Sequence, residues 1–211
     1  LQQKKEIIET VYGDSFHKVE EDSLTLKDRL YLATLLRAGI DEQMNSIKPL
    51  LGKETLISPT EDFTRDIIRS LFKGKIIKPH SQTSVDAFKD DETFPYSYNP
   101  FMIEFVINII PNDNNYNNML HRLLYPNPEI FQIDKVFCLE MWKKIGLEEC
   151  IQYLYFSLEK VGYEFNVGEK TCTVFNELLE HFSVSQIYGI IFNAIANVTK
   201  YQREIGINNK H

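Results

Sequence analysis

Glycine is scarce in this sequence, nine residues in 211, and tryptophan occurs once. No G-x-G-x-x-G, G-x-x-x-x-G-K-[ST] or G-x-S-x-G is present, so the loops that cradle phosphates or lift a serine nucleophile are missing. Cysteine is limited to Cys138, Cys150 and Cys172, an odd and widely spaced set that excludes a disulfide framework. Their expected state is small buried hydrophobes in a reducing compartment, which predicts a cytoplasmic protein. None of the five histidines (His17, His80, His121, His181, His211) stands at a zinc-ligand spacing from another His or Cys, so neither a metal nor a cofactor is expected. No apolar run approaches the roughly 18 residues of a membrane span. The longest, Phe101 to Ile110, is broken by Glu104 and Asn108. Basic residues are outnumbered, 23 against 30 acids, for a net charge of −7. That sign repels phosphates and anionic membranes unless a local patch overrides it. Leu1 to Lys5 leads into a charged helix rather than a secretory leader, and a first residue other than Met fits a fragment of a longer chain.

What is present is ordinary globular material. Hydrophobic residues reach 43% and aromatics 12%, enough to build a core. Helical spacing predicts a short amphipathic helix over 3–12, ended by Gly13. Thr25 and Asp28 form a capping box for a helix over Leu26–Ala38, apolar nearly all round. Residues 42–51 keep a helical period that Pro49 interrupts. Ser58, Pro59 and Glu61 read as cap, first helical residue and capping acid of a helix to Lys73. A short strand over 75–78, a long loop over 80–99 and a strand over Phe101–Ile110 follow, the last from its period of two. Helices are then expected over Asn112–Leu124, Asp134–Ile145, Leu147–Val161 and Thr173–Phe182, with an alternating, strand-like stretch at Tyr163, Phe165 and Val167. Ser183 and Gln186 cap a last helix whose stripe is Ile187, Ile190, Ile191, Ala194, Ile195, Val198 and Tyr201. Phe175–Val198 then reads as a helical hairpin rather than a second DNA-reading motif.

The expected fold class is mainly α with a small β-sheet. Its order over 26–110, helix, ambiguous segment, capped helix, short strand, loop and strand, resembles a winged-helix domain, in which the third helix enters the major groove. That resemblance implies a winged-helix-like N-terminal half, residues 1–111, packed on a C-terminal helical bundle, residues 112–211. Arg65, Arg69 and Lys73 fall at i, i+4 and i+8 on the third helix, with Lys75 and Lys78 just beyond. From 65 to 78 there are five bases and one acid, the local footprint that DNA contact would require. Asp62 and Asp66 stand three residues before Arg65 and Arg69, as in ordinary helix-surface ion pairs. The acidic runs Glu20-Glu21-Asp22 and Asp90-Asp91-Glu92 read as solvated loop acids, and Glu148-Glu149 as acids in a helix's first turn.

Two functions from different classes follow. One is a non-enzymatic regulatory or adaptor protein that meets a protein partner or a second copy through helical surfaces, with DNA contact through the third helix. The other is an enzyme whose site assembles from dispersed residues such as Glu104, His121 and His181. No catalytic motif marks the second.

Overall fold

The computed structural model describes residues 2–13, 17–52 and 57–208, and these divide into two compact units. The first is drawn from residues up to 57 and from 61–135, the second from 58–60 and from 136 onwards. The chain is mainly helical, with two small two-stranded sheets. Among the described residues no helix is long and apolar enough to cross a membrane.

The first unit holds α1 (Gln2–Tyr12), β1 (Val19–Glu20), α2 (Leu26–Gly39), α3 (Glu61–Lys73), β2 (Ile77–Pro79), β3 (Phe105–Ile107), β4 (Ile109–Ile110), α4 (Tyr116–Leu124) and α5 (Glu129–Gln132). The capping box forms: the Asp28 amide donates to Thr25 Oγ1 at 3.2 Å, and the Thr25 amide donates to the Asp28 carboxylate at 3.1 Å. Helix α2 buries Tyr31, Leu32, Ala33, Leu35 and Leu36 and packs on both α3 and α4, which explains apolar residues around most of its circumference. β2 runs antiparallel to β3, with Ile77 opposite Ile107 and Pro79 opposite Phe105. Ile47 bridges the other side of Phe105, so three extended segments lie in the order Ile47, β3, β2. β1 pairs in parallel with β4. The loop over 80–99 is ordered by aromatics: Phe88 meets Tyr12, Phe94 and Tyr98, and Tyr98 meets Phe72 and Phe105.

The second unit holds α6 (Lys135–Glu159), α7 (Glu169–Leu179) and α8 (Val184–Asn208). Their shared core is Cys150 and Ile151 from α6, Phe175 and Leu179 from α7, and Ile187 and Ile191 from α8. The Ser183–Gln186 cap forms, the Ser183 amide donating to Gln186 Oε1 at 2.9 Å.

Several expectations change. Residues 42–51 form a tight loop, because the Asp41 carboxylate accepts the Asn45 amide at 2.7 Å and Met44 takes a φ of 58°. α3 starts at Glu61, after a bend over 57–60. Phe101–Ile110 is two short strands in different sheets. Asn108 and Ile109 are both buried, which breaks the period of two. The Asn108 amide side chain donates to the His17 and Lys75 carbonyls, both at 2.8 Å, and so stitches the two sheets together. α4 begins at Tyr116 under an Asn115 cap. Gly146 does not end a helix. α6 runs through it for 25 residues, because a Cβ there would stand 3.3 Å from Leu179 and Val184, and glycine lets the hairpin approach. Glu148 and Glu149 are therefore mid-helix, with Glu148 accepting the Thr60 hydroxyl at 2.5 Å. Tyr163 to Val167 is irregular, not a strand. α7 starts at Glu169, earlier than expected.

Candidate functional site

The basic stripe of α3 is uneven. Arg69 and Lys73 are exposed, as is Lys75 just past the helix. Arg69 pairs loosely with Asp66 at 3.9 Å, on the helix surface. Arg65 is turned inward: its guanidinium lies 5.3 Å from the Phe101 ring, and its Nε is buried without a hydrogen-bond partner among the described residues. Lys78 donates to the Gly13 carbonyl at 2.7 Å. Three of the five basic residues thus face solvent, while Arg65 and Lys78 hold the fold.

The dispersed set divides between the units, with Glu104 and His121 in the first and His181 in the second. Glu104 lies beside the short strands, where Lys48 donates to it at 2.6 Å and Ser46 at 2.5 Å. Burial alone would raise its pKa, but the Lys48 and Ser46 hydrogen bonds overcome that and hold it below the usual range. Asp41, bonded to the Asn45 and Ser46 amides, is likewise held low against its own desolvation. Lys48 is pushed up by its bond to Glu104. Every group in this cluster therefore keeps its ordinary charge at neutral pH, which suits a structural tie and not proton transfer. His121 is exposed against Tyr125, and His181 is exposed in the other unit. His211 lies outside the described residues. Among the described residues no group of His, Cys, Asp or Glu could hold a metal ion.

Two assignments of acids and thiols are corrected. Glu21 is not a solvated loop acid but 1% exposed. Arg122 reaches it with two nitrogens, at 2.8 and 2.7 Å, and also meets Asp113 at 3.0 Å. The bidentate bond from Arg122 is the main reason the Glu21 carboxyl is held below its usual range. Cys150 is buried and its thiol is pushed up to about 11 by desolvation, whereas Cys138 is exposed.

Unit two carries the feature least visible in the sequence. Its helices expose large apolar side chains in quantity: Trp142 48%, Phe156 48%, Phe192 63%, Val198 53%, Tyr201 64% and Ile205 40%. The α8 stripe is core only where α6 and α7 cover it. Ile187 and Ile191 are buried, whereas Ala194, Val198 and Tyr201 are exposed. A separate face of α8 and the C-terminal part of α6 enclose a groove of about 470 Å³, lined by Phe156, Val161, Phe192, Ile195 and Ala196 among others, with Lys160, Lys200 and Arg203 on its wall. The available signal was Phe192 and Phe156, large apolar residues lying off the main stripes of their helices. No family model, no curated protein and no solved structure matches this chain.

Proposed function

We propose that this chain is a non-enzymatic regulatory or adaptor protein that works through helix-mediated protein contacts, with a second copy as the partner of its last helix. One observation carries the reading. Beyond Ile191 the α8 stripe continues as Ala194, Val198, Tyr201 and Ile205, and among the described residues its large apolar side chains are 53%, 64% and 40% exposed. From Ile187 these positions alternate in steps of four and three, the spacing of a paired-helix seam. Ile191, Val198 and Ile205 are β-branched at one seam position, with Ile187, Ala194 and Tyr201 at the other. Of the seam-flanking residues Asn197 and Gln202 are neutral, and Glu204 is the one acid. An odd, widely spaced set of three cysteines accords with a cytoplasmic setting for such a protein. Sedimentation across a wide concentration range tests the reading. A dimer is expected, and Val198→Asp with Tyr201→Asp should give a folded monomer whose urea midpoint no longer rises with protein concentration. A monomer at all concentrations, or a dimer indifferent to both substitutions, would sink it.

A second reading is DNA contact through a winged-helix-like module in the first unit. It is supported by the strand order Ile47, β3, β2, in which Ile47 precedes α3 while β2 and β3 follow it, and by the exposed Arg69, Lys73 and Lys75. Labelled duplex titrated at low and moderate salt decides it. Salt-steepened binding that weakens in Arg69→Ala and Lys73→Ala supports contact, while binding indifferent to both rejects it. An enzymatic site using Glu104, His121 and His181 has less in its favour, since Glu104 is already committed to Lys48 and Ser46.

A further inference from the structure

The α8 stripe is covered at one end and bare at the other. Ile187 and Ile191 are buried under α6 and α7, in a core shared with Cys150 and Phe175. Ala194, Val198, Tyr201 and Ile205 continue the same stripe toward the C-terminal end and are exposed. That bare stretch is about 16 Å long at the α-helical rise. A second α8 laid along it meets different surroundings in the two possible directions. In a parallel pair the covered ends fall side by side. The covering helices of both copies would then stand on the faces that must meet, whereas packed helices bring their axes within about 8–10 Å. In an antiparallel pair overlaid on the whole bare stretch, Ile191 of each copy falls level with position 208 of the other and Ile187 lies further out. The cover on each copy then clears the partner's bare stretch.

Side-chain size favours the same direction. The antiparallel register sets Ala194 against the partner's Ile205 and Val198 against the partner's Tyr201, a smaller residue facing a larger one in every layer. The parallel register sets Ala194 against the partner's Ala194 and Tyr201 against the partner's Tyr201, a gap beside a crowded layer. Charge agrees. Residues 136–191 hold four bases and eight acids, while residues 192–208 hold Lys200 and Arg203 against Glu204. Antiparallel overlap brings the basic end of each copy toward the acidic α6–α7 region of the other, and parallel overlap sets like charge beside like.

We infer that, given the self-association proposed above, two copies pair antiparallel through α8 and cross between Val198 and Tyr201. Disulfide trapping tests the direction, in a Cys138→Ser background because Cys138 is the exposed native thiol. Ala194→Cys and Ile205→Cys, both at exposed positions, are made separately, one with a longer tag, and mixed before mild oxidation. The mixed disulfide dimer should exceed the dimer from either variant alone by on the order of tenfold, because like thiols in an antiparallel pair stand about 16 Å apart, beyond disulfide reach. Reduction should release it, and sedimentation before oxidation should show the same dimer as the parent protein. Ala194→Cys linking to itself as readily as to Ile205→Cys overturns the antiparallel direction and leaves self-association standing. So does a sedimenting dimer that yields no disulfide product. A monomer at every concentration overturns both.

Discussion

At the residue scale, two positions do more than their type predicts. Glu21 is a buried acid whose charge is matched by Arg122, and Arg122 in turn carries Asp113, tying the first helical turn after β1 to α4. Glu21→Gln should destabilise the protein by about 1–3 kcal/mol, less than a fully buried pair would lose because Arg122 keeps access to water and to Asp113. The pH dependence has a definite sign. Arg122 depresses the folded pKa of Glu21, so its stabilisation is present above the ordinary glutamate range, near 4.5, and is lost as pH falls toward the lower folded value. Urea midpoints from pH 7 to pH 3 should therefore fall less steeply in Glu21→Gln than in the parent. Gly146 is the other position. Gly146→Val should cost about 1–3 kcal/mol by overpacking against Leu179 and Val184, and a thermal melt checks it. Neither role is written in the sequence. An acid in an acidic run and a glycine after an apolar helix both carry bland local meanings, and only a neighbour remote in sequence changes them.

At the element scale, caps and stripes were legible wherever the partners lie within four residues. The Thr25–Asp28 box forms as spaced, so Thr25→Ala should lower the melting temperature through a loss of about 1 kcal/mol in α2. The Ser183–Gln186 cap forms for the same reason. Legibility fails where backbone amides find side chains instead of helix carbonyls. Asp41 captures the amides of Asn45 and Ser46 and turns an apparent helix into a loop. Asn108 inserts a buried polar residue where alternation called for an outward one. The DNA-contact set divides on the same principle. Arg69, Lys73 and Lys75 keep the exposure that helical phase assigns, whereas Arg65 is drawn under Phe101 and Lys78 to a carbonyl 65 residues away in sequence.

At the scale of the whole molecule, charge and bare apolar surface act together. The net charge of −7 limits association beyond the paired seam near neutrality, and it vanishes near the sequence pI of 5.3. Light scattering at fixed concentration should peak close to that pH, and Val198→Asp with Tyr201→Asp should reduce the peak because they remove the exposed seam as well as adding charge. The mainly helical class with little sheet, the α2 and α8 caps and the loop over 80–99 followed from residues alone, because those features rest on hydrogen bonds and periodicities that span a few positions. Which half of the α8 stripe is core, which cations of α3 stay exposed, and the groove between α6 and α8 were decided only when distant segments met. Spacing tells which side of a helix is greasy, but how far along that side a neighbour reaches depends on the lengths and crossings of the other helices.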